Sequence, residues 1–314
     1  MKIITYEDIK KLNIRPLECY KWATEMIANK RNTILPPKIS ISPKEGVFCN
    51  TMPCILNEKW GGVKIVNRYP DRKPSLDSKL VLMDNETGDF LADMDANWIT
   101  AMRTGAVAAH SIMTFAKSDW TTVGMMGLGN TCRATLLVLA SIINNKKITV
   151  KLLKYKHQEK SFIERLNGFD NINFICVDEP EQLVRGTDVV VSCVTYFKDD
   201  LCKDEWFDEG VLVVPVHTRG FANCDLFFDK VFADDYNHVK HFKYFDKFKY
   251  FAEVCDVVNK TSVGRENDKE RILAYNIGLS IHDVNYAAHI YELLKNNNDI
   301  LEVDMCDPVD KFWI

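Results

Sequence analysis

The chain of 314 residues carries a net charge of −4, with 46% hydrophobic and 27% charged residues. These values are typical of a globular protein with room for two domains. The mildly acidic balance gives no reason to expect a nucleic acid or a membrane surface as a partner. No apolar run reaches the ~20 residues of a membrane span.

The N-terminal segment lacks the apolar stretch of a signal peptide. The ten cysteines form neither a C-x-x-C pair nor a cluster with histidine, so the sequence predicts neither a metal site nor a disulfide framework. Reduced thiols are typical of a cytoplasmic protein, which is the location we expect.

The first third of the chain has the pattern of a β-rich domain. A helix is predicted over residues 19–28, and short apolar runs separated by turns follow it. Two of these runs flank the turn at residues 85–88, which is typical of a β-hairpin. We expect an antiparallel or mixed sheet with strands near residues 35–39, 47–50, 61–67, 79–84 and 90–94, followed by a helix over residues 95–116.

A glycine turn is the most informative local feature. An apolar run ends at Gly127, Gly129 follows two residues later, and a helical pattern begins at once. In a doubly wound sheet such a turn presents a helix N-terminus to the pyrophosphate of a dinucleotide. The third small position of the motif holds Cys132 instead of Gly or Ala, and an ordinary strand-to-helix turn is the alternative reading.

The region after this turn favours the nucleotide-binding interpretation. Short β-branched runs alternate with helix-length segments, which predicts a parallel sheet with crossover helices. The runs lie at residues 148–153, 174–177, 188–193 and 211–216. We therefore predict an α/β fold in which a Rossmann-type doubly wound parallel sheet accompanies a discontinuous β-rich domain.

Two further segments complete the predicted organisation. Residues 238–251 interleave lysines with aromatic residues, which predicts an amphipathic helix with solvated lysines or, as the alternative, a mobile lid. A long helical pattern runs from Asp268 towards Leu294 and is expected to pack on the N-terminal domain. The nucleotide domain is thus residues 116–267, and residues 1–115 with residues from about 268 to 314 form the other domain.

Several short motifs together resemble the ornithine cyclodeaminase/mu-crystallin family, and they occur in the family's order over nearly the whole chain. They are residues 35–38, Met52-Pro53, residues 62–66, 82–88, 93–96 and 99–107, the glycine turn, Gly264-Arg265 with Glu270, and residues 276–278 with Asp283. The resemblance implies a homodimer built through the β-rich, substrate-binding domain. It also implies chemistry at the Cα of an amino acid with a nicotinamide cofactor.

The resemblance assigns the substrate carboxylate to Lys38, Lys64 and Arg103, with Lys64 also a candidate catalytic residue. An arginine grips a carboxylate with two hydrogen bonds, whereas lysines act as point charges. Taken singly, each of these residues could equally be a surface cation. The candidate cofactor contacts are Thr104, Gly127, Gly129, Asn130, Thr131, Lys154, Lys156, Ser192, Val194 and Asn276.

Two departures from the family pattern bear on the substrate. Ornithine-cyclising members have a glutamate two residues before Met-Pro, and here that position is Asn50, which provides no charge for a distal ammonium group. The acidic loop residue of those members corresponds here to Arg219 or Thr218. Arg219 favours a second acid on the substrate, and Asp225 matches a later acidic position expected to cap a helix.

His217 lies in the same loop and is a candidate proton donor to an imine nitrogen, although a lone histidine is more often structural. The cofactor's ribose end has its own signal. NAD-preferring sites end the second strand with an acid, but here Lys154, Lys156 and His157 follow that strand. Their charges favour NADP(H), with NAD(H) as the alternative.

These observations predict an NAD(P)-dependent oxidoreductase that transfers hydride at the Cα of an amino acid or its imine. An imine (ketimine) reductase or an amino-acid dehydrogenase fits best, with a small amino or imino acid as substrate. The first alternative is an ornithine cyclodeaminase-type lyase, which releases ammonia and recycles NAD⁺. The second is a crystallin-type protein that binds cofactor and a small ligand without turnover.

Overall fold

A computed structural model of the chain describes residues 1–194, 201–216, 221 and 224–304. The strands in these ranges are β1 (Lys2–Ile4), β2 (Ile39–Ile41), β3 (Phe48–Ile55), β4 (Trp60–Arg68), β5 (Leu76–Asp84), β6 (Phe90–Asp95), β7 (Thr122–Met126), β8 (Ile148–Leu153), β9 (Ile172–Val177), β10 (Val189–Ser192), β11 (Leu212–Pro215), β12 (Lys230–Ala233), β13 (Phe251–Glu253) and β14 (Ile272–Tyr275). The helices are α1 (Tyr6–Lys11), α2 (Pro16–Asn29), α3 (Asn97–Phe115), α4 (Asn130–Ile142), α5 (Gln158–Leu166), α6 (Pro180–Val184), α7 (Tyr236–Val239), α8 (Val254–Val258) and α9 (Ser280–Leu294).

The chain divides into two compact units, and both are discontinuous. The first unit comprises Met1–Ile14, Asn32–Ile99 and the chain from Asp283 onwards, and the second comprises Arg15–Arg31 and Thr100–His282. Helix α2 and strand β14 therefore belong to the second unit. The predicted domain limits at residues 115 and 268 lie about 15 residues from these divisions, which fall within α3 and α9.

The first unit is built on a six-stranded sheet in the order β1-β6-β5-β4-β3-β2, antiparallel except for the parallel pair β1 and β6. One face is buried, with Met52 opposite Lys64 and Lys64 opposite Leu80. Helix α9 covers this face, because Val284 lies where a Cβ on Gly62 would approach within 3.1 Å. The other face exposes Ile39, Ile41 and Ile65, as the alternation of a half-buried sheet requires.

The second unit is built on an eight-stranded sheet whose paired strands are all parallel, in the order β13-β12-β14-β11-β10-β7-β8-β9. From β7 the chain proceeds outward through β8 and β9, then returns to place β10 on the other side of β7. This reversal is the topological switch point at which doubly wound sheets bind ligands. The predicted Rossmann-type α/β fold is confirmed.

Three predictions of local structure were wrong. Residues 272–275 form a strand buried between β11 and β12, so the C-terminal helix starts only at Ser280. A fully buried strand has no alternation, so its apolar run cannot be distinguished from a buried helix segment by periodicity. Asp225 does not cap a helix, because residues 224–227 form a turn. Its carboxylate accepts a hydrogen bond from Tyr275 Oη at 2.6 Å.

The aromatic segment 238–251 is also not a continuous helix. It contains the end of α7, a short 3₁₀ turn at residues 245–247 and the start of β13. The rings pack on one another, with Phe245 contacting Phe248 at 5.5 Å and Phe251 at 4.9 Å between ring centroids. The aromatic spacing thus reflects a local cluster of rings that packs against the buried core of the second unit. Across the described ranges, none of the helices has both the length and the apolar character needed to cross a membrane.

Candidate cofactor and substrate site

The glycine turn lies at the switch point, directly after β7 and beside the end of β10. Gly127 has φ +75°, and a Cβ there would lie 2.6 Å from backbone atoms of Cys193 and Val194. Only glycine allows this left-handed backbone at such close quarters. The turn is closed by the Gly129 amide, which donates to the Gly127 carbonyl at 2.7 Å.

Gly129 is the N-cap of α4 and provides no capping side chain. A Cβ on Gly129 would have no atom within 4 Å, and Gly129 and Asn130 are exposed. An open helix N-terminus with free amide groups is a favourable place for a phosphate. The glycine turn and the first turn of α4 thus form an open cradle at the switch point.

Cys132, at the third small position of the motif, is fully buried on α4. Burial and the neighbouring Cys193 thiol raise the pKa of the Cys132 thiol well above its usual value. The thiol is therefore neutral and acts as a small packing residue between helix and sheet. The departure from Gly or Ala leaves the turn intact.

Helix α3 meets α4 at Gly105, where an added Cβ would lie 2.5 Å from the backbone of Ala134 and Thr135. This close approach sets the position of the neighbouring residues of α3 relative to the start of α4. Thr104 directs its hydroxyl to the Thr100 carbonyl at 2.6 Å, within its own helix. A contact between Thr104 and phosphate stays a prediction.

Arg103 is 95% buried, with 5% of its surface exposed, and its guanidinium lies against Gly278. A Cβ on Gly278, whose φ is +95°, would lie 2.6 Å from Arg103 Nη1. Asn276, two residues earlier, is buried, and its side chain accepts from Ser111 Oγ at 3.0 Å and donates to the Ala274 carbonyl at 2.9 Å. The 276–278 segment is therefore fixed beside Arg103.

The ribose end of the predicted cofactor site is more balanced in charge than the sequence indicated. Lys154 Nζ contacts both carboxylate oxygens of Asp178, at 2.9 and 3.0 Å, and this ion pair raises the pKa of Lys154. Lys156 and His157 are exposed and have positive φ values of +47° and +59°. Asp178 follows β9, and its pairing with the lysine after β8 was not foreseen.

Lys64 forms a deeply buried ion pair in the first unit. Its Nζ donates to Asp283 Oδ1 at 2.9 Å, and the two side chains are 1% and 0% exposed. The pair joins β4 to α9. The sequence singled out Lys64 but gave Asp283 only as part of a family motif, because a residue 219 positions away offers no local signal.

Asn50 lies on β3, between the edge strand β2 and β4, and Lys38 lies beside the edge strand of the same sheet. Asn50 is on the same face as Met52, the residue opposite Lys64, and its Oδ1 accepts from Ser40 Oγ at 2.6 Å. Lys38, which is half-buried, directly precedes β2. The position that carries a glutamate in ornithine-cyclising relatives is thus occupied here by a neutral, hydrogen-bonded amide.

Of the remaining candidates, Ser192 is buried at the end of β10 and Val194 is half-buried two residues later, beside Gly127. Asn130 and Thr131 are in the first turn of α4. His217, Thr218 and Arg219 lie outside the described residues. Their roles stay predictions.

One group of side chains has the composition of a metal site. Glu253, Cys255 and Asp256 place their ligand atoms within 4.8 Å of one another. However, Lys30 Nζ lies 2.8 Å from the Glu253 carboxylate, and Arg31 Nη2 lies 2.7 Å from that of Asp256. Burial raises the pKa of the Cys255 thiol to about 12, so the thiol is neutral within this network. The group is better described as an ion-pair network that joins α2 to α8.

Comparison with known proteins agrees with this geometry. The model of the ornithine cyclodeaminase/mu-crystallin family matches residues 3–298. The chain belongs to this family. Among curated members, it is 28% identical over 278 residues to the nodulation efficiency protein NfeD of Rhizobium meliloti, covering 82% of this chain and 83% of that protein.

A second relative is N-((2S)-2-amino-2-carboxyethyl)-L-glutamate dehydrogenase of Staphylococcus aureus, 26% identical over 267 residues, or 76% of this chain and 75% of that one. Among solved structures, Thermococcus litoralis Δ1-pyrroline-2-carboxylate reductase, in complex with NADH and L-proline, superposes with a TM-score of 0.84. It is 22% identical, over 96% of this chain and 100% of that chain. At this identity the likeness establishes the fold.

Proposed function

We propose that this family member is a nicotinamide-dependent imine reductase that acts at the Cα of an α-imino acid, or catalyses the reverse oxidation of an amino acid. The observation that carries the proposal is the buried Lys64–Asp283 pair in a chain that also contains an open dinucleotide cradle. A fully buried ion pair is costly to maintain for stability alone. Titratable groups kept in such surroundings are therefore candidates for function.

The cofactor, when bound, supplies or accepts the hydride. The residues of the chain bind and orient the cofactor and the substrate. Gly127 and Gly129 with the first turn of α4 hold the pyrophosphate, while Ser192, Val194 and Asn276 lie near it in our proposal. Because the cradle is built from backbone amides, it accepts NAD(H) and NADP(H) alike.

We propose that NADP(H) is preferred. The Lys154–Asp178 pair is exposed, and such pairs are worth at most about 1 kcal/mol. A 2′-phosphate carries more charge than Asp178 and can therefore recruit Lys154, with Lys156 beside it. The ratio of kcat/KM for NADPH to kcat/KM for NADH measures this preference. Replacing both lysines by alanine should lower kcat/KM for NADPH and leave kcat/KM for NADH unchanged, so the ratio should fall.

For the substrate, we propose that Arg103, Lys64 and Lys38 bind the carboxylate. Arg103 offers a bidentate group held by packing, and the ion pair with Asp283 at 2.9 Å holds the Lys64 ammonium group in place. A charged Lys64 can also donate a hydrogen bond to the imine nitrogen, because protonation makes the imine carbon electrophilic. We propose His217 as the group that completes proton transfer and Arg219 as a further anion contact.

Asn50 favours a reductase over an ornithine-type lyase. A lyase must hold a distal ammonium group, and Asn50 brings no negative charge for that purpose. Its carbonyl oxygen is also already engaged by Ser40. We therefore propose substrates with an uncharged or acidic side chain.

We also propose that the protein forms a homodimer through the exposed face of the first unit's sheet. Ile39, Ile41 and Ile65 are 61%, 62% and 42% exposed on that face. Several large aliphatic residues exposed together are typical of a contact with another protein. A second copy of the chain presents the same apolar face, as a twofold interface requires.

The test is to mix the purified protein with NADPH or NADH and a panel of cyclic imino acids and 2-oxo acid/amine pairs. Loss of nicotinamide absorbance with one substrate class supports the reductase. Ammonia release from ornithine with NAD⁺, without net loss of cofactor, would instead establish the lyase. Binding of cofactor without either reaction would establish the binding protein.

Arg103→Ala provides the matched site variant. It should raise KM for the imino acid by ~100-fold or more, because a charge-assisted bidentate contact is lost. Cofactor affinity, measured by fluorescence titration, should change little. Normal turnover by this variant would refute the assignment of Arg103.

A further inference from the structure

We propose that Asp234 is a positioning residue for Arg103, acting through the backbone of Gly278. This inference rests on the proposed role of Arg103 in binding a substrate carboxylate. All of the residues that carry it lie in the second unit. Asp234 follows β12, and the 276–278 segment follows the adjacent strand β14.

The first observation is that Asp234 forms two hydrogen bonds with residues 275–278. Its amide donates to the Tyr275 carbonyl at 3.1 Å, which continues the pairing of β12 with β14. Its carboxylate Oδ2 then reaches forward and accepts from the Gly278 amide at 2.6 Å. Asp234 is only 6% exposed, so this short bond to a charged acceptor is formed away from bulk water.

The second observation is that Gly278 is the surface on which the Arg103 guanidinium lies. A Cβ there would lie 2.6 Å from Nη1, 3.2 Å from Nη2 and 3.3 Å from Cζ of Arg103. The backbone φ of +95° is one that glycine tolerates and other residues rarely adopt. Position and conformation of Gly278 therefore both determine where the guanidinium rests.

The third observation is that Asp234 is itself held in place by a hydrogen bond from a buried lysine. Lys30 Nζ donates to the Asp234 carbonyl at 2.7 Å and contacts the neighbouring Asp235 and Glu253 carboxylates at 2.7 and 2.8 Å. The anchor is thus part of a buried network and not of a free loop. A site needs such support when a shift of about 1 Å in a binding group is enough to reduce the rate.

Asp234→Ala removes the acceptor and leaves the Gly278 amide unsatisfied, so the segment and Arg103 should both move. We expect KM for Δ1-pyrroline-2-carboxylate to rise by ~10-fold, the equivalent of one lost hydrogen bond in positioning, with kcat changed less than ~3-fold. Asp234→Asn keeps an acceptor oxygen and should restore KM to within ~3-fold of the wild type. Gly278→Ala, which places a methyl group against the guanidinium, should raise KM at least as much as Asp234→Ala.

Asp235→Ala is the matched control. Asp235 is the adjacent buried acid, pairs with Lys30 and caps α7, but has no bond to the 276–278 segment among the described residues. It should lower thermal stability as Asp234→Ala does, while KM stays within ~2-fold of the wild type. An equal rise in KM for both variants would mean a merely structural role and would overturn the proposal.

A double-mutant cycle separates this inference from the proposed function. If Asp234 acts through Arg103, then Asp234→Ala added to Arg103→Ala should raise KM less than ~2-fold further. Additive effects, or a rise with Arg103→Ala alone and none with Asp234→Ala, overturn the positioning role only. No effect of Arg103→Ala overturns both. A crystal structure of Asp234→Ala with the guanidinium still against Gly278 would also refute the inference, whatever the turnover.

Discussion

Removing one member of the Lys64–Asp283 pair should be far more damaging than removing both. The two charges are 2.9 Å apart and have no exposed surface. At that distance their attraction is about 6 kcal/mol for an effective dielectric constant of about 20, and the cost of burying both charges offsets much of it. Asp283→Ala removes the attraction between the two charges, but Lys64 stays buried, so the cost of desolvating its charge remains.

We therefore expect Asp283→Ala to lower the free energy of unfolding by about 3–5 kcal/mol. Lys64→Met should be similarly harmful, since it leaves the Asp283 carboxylate buried. The double variant Lys64→Met/Asp283→Leu replaces both charges by apolar groups and should recover to within about 1–2 kcal/mol of the wild type. Urea unfolding followed by tryptophan fluorescence measures these differences.

The control is an exposed ion pair on the same sheet. Lys79 Nζ contacts Asp95 at 3.0 Å, but the lysine side chain is 57% exposed. Lys79→Met should therefore change stability by less than about 1 kcal/mol. A loss this small for Asp283→Ala would refute the burial argument.

The double variant also separates stability from chemistry. It should be folded and bind cofactor, because neither residue belongs to the second unit, which contains the glycine turn. It should nevertheless show no imine reduction, since the proposed contact with substrate carboxylate and imine nitrogen is lost. Full activity in a stable double variant would leave the pair without a catalytic role.

Three other predictions concern the cradle, a buried histidine and the exposed sheet. Gly129→Ala should weaken cofactor binding by ~10-fold without loss of stability. Gly127→Ala should also lower the free energy of unfolding, by about 1–2 kcal/mol for its left-handed backbone alone. Calorimetry of cofactor binding and thermal melting distinguish the two variants. Burial lowers the pKa of His110 to about 4, so unfolded chains bind a proton that folded ones do not below about pH 6.5. Stability should therefore fall by about 2 kcal/mol between pH 7 and pH 5 from this group, and His110→Asn should flatten that slope. Ile65→Lys should convert a dimer into a monomer in sedimentation analysis, and an unchanged mass would exclude this face.

The fold could be predicted where the signal was local. The strand, glycine turn and helix around Gly127 follow from backbone requirements that only a few residues satisfy. The alternation of β4 and β5 is likewise visible in sequence because one face is buried and the other is not. Strand β14 lacked such a signal, since all four of its residues are buried.

The candidate site was predictable only in part, because its partners are distant in sequence. Lys64, Arg103 and Gly127 carried family motifs, but Asp283 pairs with Lys64 from 219 residues away. Asp178 gives no local signal either, and it pairs with Lys154, one of the lysines that favour NADP(H). Ion pairs and long-range hydrogen bonds depend on topology, which composition and periodicity do not specify.

On this scaffold, the proposed reductase and lyase differ in the charge of the protein groups around the substrate side chain, and not in the hydride exchange at the α-carbon. The reactions proposed for both begin with a carboxylate held by cations and a hydride exchanged with a nicotinamide. Asn50, bonded to Ser40, makes the nearby face of the first unit's sheet neutral at the position where ornithine-cyclising relatives carry a glutamate. Asn50 is only half-buried there, but a site without a counter-charge still gives an ammonium group nothing to offset the cost of its desolvation. A side chain without a positive charge meets no such penalty, and without an attacking distal amine the bound imine can only exchange hydride with the cofactor or hydrolyse.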